Sequence, residues 1–224
     1  MNIFTIIIFG ILIVCILMYY IVKGFCVNKI TKAIKNNENS KVIQLSKQKM
    51  TQRFMGDYVC TLYRLRAYSN LGNEKNFKKE LDATLEKEFN FEQQKSFLEM
   101  YYHYFLLKGD REYSEKLLNK IQELGEPSFL AYNEQAFEVM INHRTDYIDV
   151  LDAEINSKKH SGFALGVMVF LIGEQYLTLG DKEEARTYFY NSLSCFHPAA
   201  VYVPVAKKHV NTLSDELQLD RPKY

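Results

Sequence analysis

GVMVFLIGEQYLTLGDKEEARTYFYNSLSCFHP, residues 166–198, decides the fold. An apolar stretch with helical spacing runs into Leu179-Gly180-Asp181, and a second helical pattern leaves it. Gly173 and Ala185 are small where two helix backbones would approach closely, and Tyr176 and Phe189 fill the space beside them. A lone hairpin of this kind cannot bury its apolar face, whereas stacked hairpins bury a continuous core.

Working outward, similar turn signals recur at Asn36-Asn37, Leu71-Gly72-Asn73, Lys108-Gly109-Asp110 and Asn142-His143-Arg144. From position 37 the turns fall at 72, 109, 144 and 180, steps of 35, 37, 35 and 36 residues. Between them lie helix-period patterns with almost no strand-like alternation. Tyr101, Tyr104, Phe105 and Lys108 lead into one turn, and Tyr113, Leu117, Leu118 and Ile121 lead out. Four prolines and ten glycines also favour helices over turn-rich β architecture.

The stretch 166–198 resembles a tetratricopeptide repeat. Ile172-Gly173 stands at the Leu-Gly positions of the first helix, Tyr176 at the tyrosine position and Gly180 at the turn. Ala185, Phe189 and Ser192 stand at the packing positions of the second helix. Val169 departs from the large aromatic that opens the motif, and Pro198 falls one place late. Residues 95–127 keep Phe105, Gly109 and Leu118, with Ser114 at the alanine position; residues 58–90 keep Tyr68, Gly72 and Leu81; residues 130–158 keep the period alone. The resemblance implies an all-α chain in which an α-solenoid of hairpins is closed by a C-terminal capping helix. An irregular helical bundle is the alternative. The cap is expected from the stripe Tyr202, Val205, Ala206, Val210, Leu213 and Leu217, with Pro204 in the first turn.

Ahead of the repeats stands IFTIIIFGILIVCILMYYIV, residues 3–22, without a charge. A helix of that length spans roughly 30 Å, about one hydrocarbon core. Tyr19 and Tyr20 sit at its end, where interfacial aromatics belong. A cleaved signal would want a positive start and a small-residue cleavage site, and neither is present. The sequence therefore predicts an uncleaved anchor. Phe163–Gly173 is also apolar but too short to span, and is expected to be a buried core helix.

Charge is unevenly placed although the formal net charge is only +1. Residues 23–53 carry eight basic side chains and one acid, Glu38, for a net +7; the rest of the chain, with twenty basic and twenty-six acidic residues, carries −6. Lys23, Lys29, Lys32 and Lys35 follow the apolar run closely and no lysine precedes it, so the N-terminus is expected outside and the remainder in the cytoplasm of a single-pass cell-membrane protein. A basic collar beside an apolar run points to a membrane surface, not nucleic acid. The expected organisation is an anchor at 1–23, basic juxtamembrane helices at 24–57, repeats at 58–198 and a cap at 199–224. Cys26–Ile34 is expected to continue directly from the span, with Val42–Met50 as its partner helix.

Catalytic patterns are absent from the sequence. There is no phosphate loop, nucleophile elbow or zinc-protease motif, and Cys15, Cys26, Cys60 and Cys195 have neither zinc nor disulfide-framework spacing. No catalytic residue, metal site or cofactor is expected, although an enzyme of unrecognised type is one rival reading. Glu99 and His103, one helical turn apart, have the spacing of a metal pair but also of an ordinary solvated pair. Asp146, Asp149 and Asp152 suit a helix N-terminus. Cys26, just past the span, is either a plain thiol or an acylation site.

In the repeat family the first helix of each hairpin lines a concave surface that binds partner segments. The resemblance carries that face onto Arg66, Glu99, His103, Glu134, Glu138 and Glu174. Four of the six are acidic, so a protein partner with a basic segment is expected, against a merely hydrated face. The expected function is a membrane-anchored interaction scaffold. Its first rival is an accessory subunit of a membrane complex, with Gly10 and Cys15 as the small residues at lipid depth.

Overall fold

The twenty uncharged residues do not end their helix at Val22. In the computed structural model, which describes residues 3–224, α1 runs unbroken from Ile3 to Lys35. Among the described residues there are twelve α-helices and no strand. It divides into two compact units, Met1–Asn90 and Phe91–Tyr224.

The first unit holds α1, α2 (Asn39–Ser46), α3 (Lys49–Met55), α4 (Asp57–Asn70) and α5 (Glu74–Leu85). Where described, the apolar side chains of α1 are not buried: Phe4, Ile11, Val14, Leu17 and Ile21 are all exposed. Its length and composition suffice to cross a membrane. Beyond Val22 the same helix becomes a core element, burying Cys26, Ile30 and Ala33. Ile30 and Ala33 pack with Val42 and Leu45 of α2 and Ala67 of α4. Asn37, in the left-handed region at φ 54°, stops α1, and Glu38 N–H donates back to the Ala33 carbonyl at 2.9 Å.

The expected helix Val42–Met50 is instead broken at Lys47-Gln48, where Gln48 is extended (φ −69°, ψ 129°). The cause lies outside the segment. Arg64 of α4 is buried, and its Nη1 donates at 3.0 Å to the Ser46 carbonyl that a continuing helix would have used. The rest of the guanidinium bonds Glu80 (2.7 Å) and Thr61 (2.7 Å). Past the break, α3 packs along α1.

The second unit holds α6 (Phe91–Lys108), α7 (Arg111–Glu123), α8 (Pro127–Met140), α9 (Ile148–Asn156), α10 (Gly162–Leu179), α11 (Lys182–Leu193) and α12 (Tyr202–Glu216). One turn design recurs across both units. Gly72, Gly109 and Gly180 have positive φ, and the next residue, Asn73, Asp110 or Asp181, caps the following helix by accepting from its third N–H. The turn near 144 differs. His143 takes the positive φ there, and the Tyr147 N–H is satisfied by the Gln175 side chain at 2.8 Å.

α10 is also apolar and long enough to pass for a span, but every residue from Gly166 to Gly173 is buried. Its neighbours are α8, α9 and α11. A Cβ at Gly173 would lie 3.0 Å from the Phe189 ring, and one at Gly166 would lie 2.6 Å from the Phe196 ring. Both glycines let an aromatic side chain seat directly on the α10 backbone. α12 packs on α11 and buries Tyr202, Ala206, Val210 and Leu213.

Candidate functional site

The residues assigned to a concave face do not share one environment. Arg66 belongs to the first unit and is exposed; Glu99, His103, Glu134, Glu138 and Glu174 belong to the second. There α6 contributes Glu99 and His103, α8 contributes Glu134 and Glu138, and α10 contributes Glu174.

His103 is fully buried. Its Nδ1 lies 2.8 Å from the Tyr202 hydroxyl of α12. Its ring stacks near Tyr132 of α8 and meets Tyr102, Phe163 and Tyr202 edge-on. Burial pushes the imidazole down to about 3, only partly offset by Asn133, so the ring is neutral. At this position the expected groove is filled by aromatic side chains from α8, α10 and α12. A solenoid in which each hairpin meets only its neighbours would not bring α12 back to α6.

The carboxylates lie around this aromatic core. Glu99 accepts a hydrogen bond from the Tyr132 hydroxyl; burial raises its carboxyl and that bond opposes the rise. Glu174 is pushed up to about 7 by burial. It lies 3.3 Å from His209 Nε2, a distance at which an ion pair is possible. Burial, however, also lowers the His209 imidazole, with Lys208 adding to the effect, so both groups favour their neutral forms. Glu138 accepts from Asn142 at 3.1 Å and has Arg144 at 3.8 Å, while Glu134 is exposed. Burial and then Tyr202, Glu134 and Glu138 raise the Tyr102 phenol; burial and then Glu174 and Glu99 raise that of Tyr202. The four acids are thus within electrostatic reach of one buried tyrosine pair.

Glu99 and His103 are not the solvated pair their spacing suggests: His103 is fully buried with Nδ1 on Tyr202, and Glu99 accepts from Tyr132. No group of three or more His, Cys, Asp or Glu arranged to hold a metal occurs among the described residues. Asp146 is bonded by Arg144, and Asp149 stands in the first turn of α9. Sequence reasoning missed a cleft of about 580 Å³ beside α8 and α9, lined by Ser128, Asp149, Val150, Glu154, Lys159 and His160. It had no motif to announce it, because its lining comes from two helices and a loop.

Lys23, Lys29, Lys32 and Lys35 are exposed along α1, and the Lys29 ammonium lies 4.2 Å over the Phe25 ring. Comparisons with protein-family models, curated proteins and solved structures gave no match to this chain.

Proposed function

We propose that α1 is an uncleaved single-pass membrane anchor, and that the helical units after it form a cytoplasmic platform for a protein partner. The supporting observation is α1 itself. Its apolar side chains between Phe4 and Ile21 are exposed by 46–69% wherever described, an amount of apolar surface that water does not tolerate and a bilayer does. The lysine asymmetry supports the orientation. We read the hairpins α4–α5, α6–α7 and α10–α11 as tetratricopeptide-like, supported by their common Gly-Asn or Gly-Asp turn.

The partner-facing surface in this reading is carried by Glu134 and Glu138, with Glu99 and Glu174 half-buried behind it and His103 beneath as packing. Its chemistry suits a basic segment. An accessory-subunit role is the second reading, supported by the same exposed flank of α1, where Gly10 leaves open space that a neighbouring span would fill. Two experiments test the proposal. Protease added outside intact cells should leave residues 24–224 uncut, and digestion from outside would reverse the orientation. Cross-linked partners recovered with the full chain should be lost with Glu134→Lys and Glu138→Lys together; equal recovery would remove the acidic face from the account.

A further inference from the structure

The Phe54 ring of α3 packs 5.2 Å from the Tyr19 ring of α1. Tyr19 lies inside the apolar run, three residues before its end at Val22, a depth of about 4.5 Å at the rise of an α-helix. The break at Lys47-Gln48 therefore does more than shorten a helix. It carries α3 down to the level at which α1 leaves hydrocarbon. Met50, one turn before Phe54 on the same side of α3, is 58% exposed, as is Phe25, about 4.5 Å beyond Val22 on α1. Lys49 and Arg53 form the adjoining exposed stripe of α3, and Lys29 sits over Phe25. The opposite side of α3 is occupied, with Thr51 buried and Met55 packed into the core of this unit. From Asn39 to Gly56 there is no acidic residue.

Resting on the reading of α1 as an anchor, we propose that Met50 and Phe54 of α3, flanked by Lys49 and Arg53, together with Phe25 and Lys29 at the matching level of α1, form a second membrane-contact site that binds anionic lipid headgroups. Apolar side chains enter the headgroup–acyl boundary while the flanking cations reach phosphates, the division of labour of an interfacial helix. The occupant follows from continuity with α1. If Val22 marks the hydrocarbon boundary, an element packed on Tyr19 is already in the interface. The consequence is a fixed seat. The first unit is held against the bilayer at two points and does not swing on a single helix.

The chain contains no tryptophan, so one introduced residue reports its own surroundings. Full-length Leu12→Trp and Met50→Trp variants are reconstituted in vesicles doped with lipids brominated deep or shallow in the acyl chain. Leu12→Trp, at mid-span, should lose emission most to deep bromines. Met50→Trp should lose emission most to shallow bromines, more in phosphatidylglycerol than in phosphatidylcholine vesicles. Adding Lys49→Glu and Arg53→Glu should abolish that preference. Quenching of Leu12→Trp without quenching of Met50→Trp overturns the second site and leaves the anchor standing. A blue-shifted but unquenched Met50→Trp would mean that protein covers the edge, which also overturns the site. Equal shallow quenching in both lipids overturns the assignment to anionic headgroups. If neither variant is quenched, the anchor reading itself fails.

Discussion

His103 and Tyr202 stand 99 positions apart and share a buried contact of 2.8 Å, so α12 closes back onto α6. Both side chains are fully buried, and each would be left with an unmet polar atom if the other were removed. Tyr202→Phe deletes the hydroxyl alone and keeps the ring contacts to Phe170 and Phe196. It should destabilise the second unit by about 1–3 kcal/mol, read as a lower urea midpoint of the full chain in detergent. An unchanged midpoint would mean that the closure is made by ring packing alone.

The two glycines of α10 should differ in sensitivity. At Gly166 a Cβ meets the Phe196 ring at 2.6 Å, whereas at Gly173 it meets the Phe189 ring at 3.0 Å. Gly166→Ala should therefore lower the thermal midpoint more than Gly173→Ala. Gly173→Leu should cost on the order of 1–3 kcal/mol or more by overpacking. Gly180→Val should also destabilise, because φ there is +84°. The reverse order for the two alanine variants would show that the Phe196 ring rotates aside freely.

Glu174 gives the second unit a pH dependence with a definite sign. Burial raises its carboxyl from 4.5 to about 7, so the folded chain holds a proton that the unfolded chain has released. Stability from this group is present below 4.5, declines as pH rises from 4.5 to about 7, and stays lost above that. His209 acts oppositely. Its lowered imidazole withdraws stability as pH falls through and below 6.5. Glu174→Gln should raise the melting temperature above pH 7 and flatten its decline from pH 4.5 to about 7. A variant that melted with the parent's pH profile would exclude Glu174 as the cause.

In the first unit, Arg64 is the buried charge on which α2, α4 and α5 converge. Arg64→Ala should cost about 3–5 kcal/mol, since Glu80 is left half-buried without its partner. Arg64→Met combined with Glu80→Gln should recover much of that loss. Equal destabilisation by the single and double variants would shift the weight from charge to packing.

Much of the helical order was legible because its signals are local. The turn glycines, their Asn or Asp caps and the apolar period are each written within a few residues, as at Leu179-Gly180-Asp181. The continuation of α1 through Cys26–Ile34 was legible for the same reason. What escaped is non-local. The break between α2 and α3 carries no glycine or proline and depends on Arg64 from another helix. His103 has the helical spacing of a groove residue, yet it is buried by α12, nearly a hundred residues away. Gly166 escaped because its partner, Phe196, lies beyond the hairpin turn. Period alone says where helices lie along the chain, not which helix faces meet.

The central claim is that α1 remains on the chain and holds it in the bilayer, and one measurement addresses it directly. Membranes carrying the full-length protein are washed with high salt and then alkaline carbonate, and the intact mass of the retained chain is determined. The account predicts that the protein stays in the membrane pellet through both washes at the full 26.3 kDa, with residues 1–22 still attached. Release into the supernatant, or a retained chain shortened at its N-terminus, would contradict it.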